Sequence, residues 1–256
     1  MRILLTNDDG ILSPVLYRVS DILAQEHDMV VVAPSTDQSG KSHGFTHRPD
    51  KFLTCREESH RPYPIYQIDG TPCDCIKFAI SHLLRDRQPD LVVSGINLGE
   101  NAGVSAVYSG TVAAAREAAL WGIPALAVSL MAETEAHIDF ALNWLLEWLR
   151  HSDTLPLSLP SPYTLWNINF PACPPEEVAG VEFTAMSTVM FQDHYEEVRT
   201  DHALPGYRLL GRKPSVKFAS GTDDYALRQK RIAITPLQIA QTSTVELESL
   251  QQRTPR

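Results

Sequence analysis

The chain has 256 residues, of which 43% are hydrophobic and 21% are charged, as in an ordinary globular protein. That length allows one large α/β domain with a sizeable core. No stretch contains about 18 uninterrupted apolar residues, and the start lacks the apolar core of a signal peptide, so we expect a cytoplasmic protein without a membrane span. The 22 Lys and Arg against 31 Asp and Glu give a net charge of −9, which argues against binding to polymeric nucleic acid.

The cysteines provide little support for a metal or disulfide framework. They are Cys55, Cys73, Cys75 and Cys173. None forms a Cys-x-x-Cys pair, and the spacing of Cys73 and Cys75 lacks the second pair that would make a zinc site. We therefore expect reduced thiols, which agrees with a cytosolic protein.

Two adjacent carboxylates follow the first predicted strand. The apolar run Ile3–Leu5 predicts a strand buried on both faces of a parallel sheet, and Asn7, Asp8, Asp9 and Gly10 follow it. Ligands of such sheets collect at the carboxyl ends of the strands. Two neighbouring carboxylates repel each other, and a hard cation such as Mg²⁺, Mn²⁺ or Ca²⁺ relieves that repulsion. An ordinary turn is the alternative for this motif alone, because Asn-Asp-Asp-Gly is also good turn chemistry.

Strand and helix patterns alternate from the first strand to about residue 150. This alternation is typical of an α/β protein with a doubly wound, mainly parallel sheet. The further predicted elements, in chain order, are a helix after Pro14, a strand at Met29–Pro34, a strand at Ile65–Ile68, a helix at Cys73–Leu84 capped by Thr71 or Asp74, a strand at Asp90–Gly95, a helix at Val112–Trp121, a strand at Ile123–Leu130 and a helix at Ile138–Leu149.

The polar segment from Ser35 to Arg61 holds the tetrapeptide Ser39-Gly40-Lys41-Ser42. A P-loop requires glycine where this chain has Ser35, so we reject a P-loop. The second strand should still end beside the corner formed by the two aspartates, so the hydroxyl of Ser39 or Ser42 could reach a shared site. A solvated loop is the alternative.

A second cluster of polar residues follows the strand at Asp90–Gly95. Asn97 and Asn101 lie there among glycines, and an amide oxygen is a neutral ligand for a hard cation. Ser109-Gly110-Thr111 then opens a helix, whose first N–H groups point outward at the positive end of the helix dipole and form a phosphate site. Simple N-capping by serine or threonine is the alternative.

The last hundred residues change character. The pattern predicts a connector, a strand, a region of hairpins that includes a polar excursion, an acidic turn, a further strand and a polar tail to Arg256. These lie, in order, at Ser152–Ser161, Leu165–Pro171, from Val181 with the excursion at Asp193–Lys213, at Ser220–Asp224 and at Arg231–Leu237.

Taken together, the motifs resemble the survival protein E (SurE) family of nucleotidases. The matching segments fall in family order at Asn7–Gly10, Ser39–Ser42, Gly70–Cys75, Ser94–Asn101, Tyr108–Ala115, Asn167–Pro171, Gly221–Asp223 and Ile234–Leu237. Two segments depart from the family's pattern: the first helix opens with Pro14-Val15 where the family has Pro-Gly, and Met190–Lys217 matches poorly.

The resemblance implies one SurE-like domain over residues 1–256. Residues 1–150 would form a Rossmann-like, three-layer core, and residues 151–256 would supply the remaining core strands and a β-rich C-terminal extension used in a homodimer or homotetramer. By position, Asp8, Asp9, Ser39 and Asn97 match the ligands of one Mg²⁺ or Mn²⁺ per subunit. Asp8, Asp9 and Asn97 are the predicted catalytic residues, and the predicted phosphate and substrate contacts are Asn101, Ser109, Gly110, Thr111 and Ser42.

The activity implied is removal of phosphate from nucleoside 5′-monophosphates by a metal-activated water. Activity on 3′-monophosphates and short polyphosphate is left open. A haloacid-dehalogenase-like phosphatase is the rival class, but its nucleophilic aspartate would be Asn7, and an amide cannot form an aspartyl-phosphate. A non-catalytic nucleotide-binding regulatory module is the second alternative, although an anion binder would more simply use Arg or Lys.

Overall fold

The computed structural model describes residues 1–47, 50–58, 60–151, 159–199 and 204–253. The strands are β1 (Arg2–Thr6), β2 (Asp28–Pro34), β3 (Cys55–Glu58), β4 (Ile65–Ile68), β5 (Leu91–Leu98), β6 (Ala125–Leu130), β7 (Thr164–Phe170), β8 (Val181–Phe183), β9 (Gln192–Val198), β10 (Gly206–Arg212) and β11 (Ile232–Gln238). The α-helices are α1 (Pro14–Leu23), α2 (Pro72–Phe78), α3 (Ser105–Tyr108), α4 (Gly110–Leu120), α5 (Glu135–Arg150), α6 (Asp223–Arg228) and α7 (Thr244–Arg253).

Nine of the strands form one sheet, in the order β3-β4-β2-β1-β5-β6-β7-β11-β8. The strands from β4 to β7 in this order are all parallel to their neighbours. The antiparallel pairs are β3 with β4 and β11 with β7. The predicted α/β fold with a mainly parallel sheet is therefore confirmed, and strands from the C-terminal part of the chain extend the same sheet.

Both faces of the sheet are covered by helices. Successive residues of a strand point to opposite faces. In β1, Ile3 and Leu5 pack in a core with α1 and α5, whereas Leu4 packs in a second core with α2 and α4. This explains why the first apolar run shows no alternation with polar residues, and it confirms the three-layer prediction. The parallel strands β1 and β5 are neighbours, so their carboxyl ends meet at one edge of the sheet.

The predicted helix at Cys73–Leu84 is a composite. Thr71 is its N-cap and forms a capping box with Asp74, so both residues proposed as caps take part. The α-helical part ends at Phe78, and a π-helical turn at Ala79–Leu83 follows. The Leu84 N–H bonds to the Ala79 carbonyl five residues earlier.

Four of these strands and helices were not predicted, namely β3, α3, α6 and α7. The edge strand β3 lies inside the segment read as a loop, because a short polar edge strand carries no apolar periodicity. The predicted acidic turn is the start of α6, and the polar tail contains α7. Residues 48, 49 and 59 of the loop and residues 152–158 of the predicted connector lie outside the described residues.

The predicted hairpin region is confirmed at β9 and β10, which pair with each other in a separate two-stranded sheet. The register runs from Gln192 opposite Arg212 to Val198 opposite Gly206. Residues 200–203 between these strands are outside the described part of the chain. Within that described part, no helix has the length and apolar character needed to cross a membrane.

Candidate active site

A cavity of about 320 Å³ opens at the carboxyl ends of β1 and β5. Its wall contains five predicted site residues, Asp8, Ser39, Asn97, Asn101 and Ser109. It also contains residues that were not predicted, namely Gly40, Leu98, Ser105, Tyr108 and Phe191. The volume is at the lower end of the range of small-molecule sites. The fold thus gathers at one edge side chains that are far apart in the sequence, from Asp8 to Phe191.

Asp8 is the most enclosed carboxylate of this site, with 3% of its surface exposed. The Thr111 hydroxyl donates to Asp8 Oδ1 at 2.5 Å. Burial raises the pKa of Asp8, and the hydrogen bonds from the Thr111 hydroxyl and backbone N–H work against that rise. The α4 N-terminus therefore holds a carboxylate that would be costly to leave buried without a partner.

Asp9 lies beside Asp8 and is half-buried. Burial, followed by the negative charges of Asp8, Asp37 and Glu133, raises the pKa of Asp9 to about 6. Asp9 does not belong to the described cavity wall, but its negative charge and that of Asp8 repel each other, and a bound cation would relieve that repulsion.

Asn97 and Ser39 present neutral oxygens to the same cavity. The Asn97 amide nitrogen donates to the Gly99 carbonyl at 2.7 Å, which turns Oδ1 away from that bond and leaves it to accept. The Ser39 hydroxyl donates to Asp37 Oδ1 at 2.6 Å, and its lone pairs stay available as a ligand. Asp37, which sequence reasoning missed, therefore orients Ser39.

The donor set fits a hard divalent cation. Two carboxylates, one amide oxygen and one hydroxyl are the oxygen ligands that Mg²⁺ and Mn²⁺ prefer. Across residues 1–47, 50–58, 60–151, 159–199 and 204–253, no cluster of three or more His, Cys, Asp or Glu side chains is arranged as a metal site. The candidate metal centre therefore needs the neutral oxygens of Asn97 and Ser39 in addition to the two carboxylates.

The start of α4 differs from the prediction in two respects. Ser109 is the N-cap, and its hydroxyl accepts from the Val112 N–H at 3.1 Å, as the capping alternative held. Thr111 is not a cap, and its hydroxyl is directed at Asp8 instead of at an open phosphate site. Its predicted direct contact with phosphate is therefore not what the geometry favours, because the hydroxyl hydrogen is already donated.

Gly110 is required for a reason other than the one predicted. A Cβ atom at this position would lie 2.8 Å from both Asp8 Cβ and Asp8 Oδ2. The missing side chain thus makes room for the carboxylate, and the role of Gly110 toward a bound anion stays a prediction. Gly95 is explained in a similar way, because its φ is +121° and a Cβ atom would lie 2.3 Å from the Val128 carbonyl oxygen on β6. The neighbouring strand, not a ligand, excludes a side chain at Gly95.

Ser42 is not part of the described cavity wall. Its hydroxyl donates to the Val107 carbonyl at 2.8 Å, and its N–H bonds to the Tyr108 carbonyl at 3.0 Å. The predicted substrate contact of Ser42 is therefore not favoured. Ser42 instead attaches the loop that carries Ser39 to the segment before α4.

A buried acid, Glu117 of α4, holds the same loop from the other side. Its carboxylate accepts from Lys77 Nζ at 2.8 Å and from Trp121 Nε1 at 2.9 Å, and it bonds to His43 Nε2 at 2.8 Å. Burial favours the protonated acid, but the three hydrogen bonds outweigh burial and lower the pKa of Glu117 to about 2. Sequence reasoning missed this cluster, because its members are distant in the chain.

Asn101 is positioned by amides of β7. Its N–H donates to Asn169 Oδ1 at 2.8 Å, and Asn167 Nδ2 donates to its carbonyl at 2.8 Å. Its own Nδ2 donates to Ser129 Oγ at 2.8 Å, which leaves the second hydrogen of that nitrogen for a ligand. The sequence did contain a signal, since Asn167 and Asn169 are two apart in a strand and share one face.

Asn7 is committed to the turn after β1. Its Nδ2 donates to the Gly10 carbonyl at 3.0 Å, and its Oδ1 accepts from the Gly10 N–H at 3.2 Å. The side chain is almost completely buried. Asn7 has the position of the nucleophilic aspartate of the haloacid-dehalogenase-like phosphatases. Its amide is chemically unsuited to that role, and its side chain is buried.

An α/β fold with a carboxylate- and amide-lined cavity at its strand ends defines a class of proteins that bind small ligands at this edge of the sheet. A model of the family described as Survival protein SurE matches residues 3–193. The chain belongs to the SurE family.

Full-length relatives and a solved structure agree with this assignment. The chain is 40% identical over 253 residues to 5'-nucleotidase SurE 1 of Thermus thermophilus, covering 98% of this chain and 96% of that protein. It is 38% identical over 260 residues to 5'-nucleotidase SurE of Carboxydothermus hydrogenoformans, covering 98% and 95%. The crystal structure of the SurE protein from Aquifex aeolicus has a TM-score of 0.80 at 28% identity and covers 98% of this chain and 99% of that one.

Proposed function

We propose that this protein is a 5′-nucleotidase that hydrolyses the phosphate monoester of nucleoside 5′-monophosphates with the help of a divalent cation. The observation that carries the proposal is the single cavity that joins Asp8, Asn97 and Ser39 to the start of α4. The names of the relatives, 5'-nucleotidase SurE at 34–40% identity, support the same activity. Nucleoside 3′-monophosphates and short polyphosphate are further candidate substrates with the same phosphoryl chemistry.

Asp8, Asp9, Ser39 and Asn97 would hold one Mg²⁺ or Mn²⁺ per subunit. A cation bound there would supply Lewis-acid charge and lower the pKa of water. The protein's own part is to keep these oxygens in place: Thr111 fixes Asp8, and the Gly99 carbonyl fixes Asn97.

Binding of the phosphoryl group would use donors of the same wall. The remaining Asn101 amide hydrogen, the Ser109 hydroxyl and the positive end of the α4 dipole face the cavity and would stabilise negative charge on the phosphoryl oxygens. Gly110 and Thr111 act through Asp8 in this proposal, as positioning residues. These are the interactions that a loose, highly charged phosphoryl-transfer transition state requires.

The proposal is tested by measuring release of inorganic phosphate from nucleoside 5′-monophosphates with Mg²⁺ or Mn²⁺, with and without chelator. Asp8→Asn should lower kcat/KM by several orders of magnitude, because it removes one negative charge from the cation site. Asp86→Asn is a matched control, since Asp86 is 90% exposed and outside the cavity wall. Absence of phosphate release, with adenosine monophosphate still bound, would favour the non-catalytic nucleotide-binding module.

We further propose that residues 1–256 act as one domain in the cytoplasm and assemble as a homodimer or homotetramer through the β9–β10 hairpin. The continuous sheet from β3 to β8 supports the single domain. The four free cysteines support a reducing compartment. Tyr195, Tyr207 and Leu209 are exposed on the hairpin, which supports its use as an interface.

A further inference from the structure

The cavity wall has an apolar side that the metal and phosphate chemistry does not use. Leu98, Tyr108 and Phe191 line the same space as the polar donors. Leu98 belongs to β5, which also supplies Asn97, and Tyr108 is the last residue of α3, directly before Ser109. Phe191 comes from a different part of the chain, one residue before β9.

Phe191 is held at the cavity by contacts to the end of the hairpin. Lys213 follows β10 directly, and its Nζ lies 5.8 Å from the centroid of the Phe191 ring, within range of a cation–π contact. The same ammonium group donates to the Ala102 carbonyl at 3.1 Å and to Asp224 Oδ1 at 2.6 Å. Only 13% of the Lys213 side chain is exposed. The base of the hairpin is thus fixed to the loop that carries Asn101.

We infer that Phe191 is the nucleobase-contacting residue of this cavity and that its ring stacks on the base of the bound nucleotide. This inference rests on the proposed function. A planar ring without a hydrogen-bonding group offers a π-face that every base can stack on, and such stacking is tolerant of base identity. Phe191 therefore contributes affinity for the nucleoside part of the substrate, whereas the polar donors of the same cavity bind its phosphate.

The test separates the nucleoside from the phosphate by using the two products as probes. Calorimetric titration of the full chain, with Mg²⁺ present, measures binding of adenosine and, separately, of inorganic phosphate. Phe191→Ala should weaken adenosine binding about tenfold, the loss typical of one base stack, and change phosphate binding by less than twofold. Phe191→Trp, which keeps an aromatic face, should retain adenosine affinity within about threefold.

Phe52→Ala is the matched control, because Phe52 is 83% exposed and does not line the cavity. It should leave both affinities unchanged. Equal adenosine affinity in the parent and Phe191→Ala, or equal losses of adenosine and phosphate affinity, would overturn the Phe191 assignment. If Phe191-dependent adenosine binding is found but no nucleoside monophosphate is hydrolysed, the base subsite stands and the proposed nucleotidase activity fails.

Discussion

Thr111 Oγ1 and Asp8 Oδ1 are 2.5 Å apart, which ties the first turn of α4 to the carboxylate that follows β1. The start of α4, which could bind an anion, thus contacts the carboxylate of Asp8 within the protein. Because β1 and α4 belong to different layers, this bond also fixes the depth at which the aspartate lies in the cavity.

Removing the Thr111 hydroxyl should therefore impair the cation site. Thr111→Val keeps the shape of the side chain but leaves a buried carboxylate without its donor, so we expect kcat/KM to fall roughly tenfold to a thousandfold. The free energy of unfolding should fall by about 1–3 kcal/mol. Steady-state kinetics across a Mg²⁺ titration, combined with urea unfolding, measures both effects.

Thr111→Ser is the control for this prediction, because it restores the hydroxyl on a smaller side chain. It should recover most of the Mg²⁺ affinity that Thr111→Val loses. Parental activity and Mg²⁺ affinity in Thr111→Val would contradict the positioning role of the hydrogen bond.

A side chain at Gly110 should displace Asp8. The added methyl group of Gly110→Ala would lie 2.8 Å from Asp8 Cβ, closer than carbon atoms normally approach, so one of the two must move. Overpacking of this kind costs typically about 1–3 kcal/mol of stability. We expect activity to fall by at least about a hundredfold, since a displacement of about 1 Å has that effect on catalysis.

Circular dichroism should show a folded Gly110→Ala protein, so that the loss is assigned to the site. The second variant Gly110→Ala with Asp8→Gly removes both the carboxylate and the Cβ atom that the added methyl group would meet, so it should recover thermal stability without recovering activity. A fully active Gly110→Ala would contradict this prediction, because the added methyl group would then not displace the Asp8 carboxylate.

The elements of the parallel sheet could be predicted from the sequence because each strand buried on both faces is a continuous apolar run. Ile3–Leu5 and Met29–Pro34 are examples, and the observed β1 and β2 extend them by only one residue or two. The polar edge strand β3 and the helix α7 have no such run, and neither is buried in the described part of the chain. Their formation depends on pairing and local propensity, which leave no periodic apolar signal.

The site was predictable to the extent that it lies at strand ends. Asp8 and Asn97 follow the rule that ligands bind at the carboxyl edge of a parallel sheet. The contact that orients Asp8 was not predictable, because it joins Asp8 to Thr111, far away in the chain. The bond between His43 and Glu117, which holds the loop that carries Ser39, was not predictable for the same reason. For the same reason the closeness of Gly110 to the Asp8 carboxylate was not predicted, and its predicted place in a phosphate site stays a prediction.

Glu117 should make stability depend on pH in the acid range. Its pKa is about 2 in the folded protein and 4.5 in the unfolded chain, so the folded state binds fewer protons. The resulting stabilisation is present above about pH 4.5 and is lost as pH falls towards 2. At about 1.4 kcal/mol per pKa unit, roughly 2 kcal/mol should disappear between pH 5 and pH 3.

Urea unfolding of the parent and of Glu117→Gln at these two pH values checks this expectation. The glutamine variant cannot titrate, so its loss of stability over the same interval should be smaller by about that amount. Parallel pH dependence in the two proteins would show that the hydrogen bonds from His43 and Lys77 do not perturb the acid.

The last prediction concerns assembly through the β9–β10 hairpin. Tyr195 and Leu209 lie directly opposite each other in its register, and both are exposed. Placing an aspartate at each position should dissociate the proposed dimer or tetramer, because burying two unpaired charges in an apolar interface is unfavourable. Light scattering should give a multiple of 28.5 kDa for the parent and 28.5 kDa for the double variant Tyr195→Asp with Leu209→Asp. Val245→Asp on α7, which adds the same charge at a residue 76% exposed, should leave the parental mass unchanged. A parental mass of 28.5 kDa at micromolar concentration, or a double variant that keeps a larger mass, would exclude this hairpin as the interface.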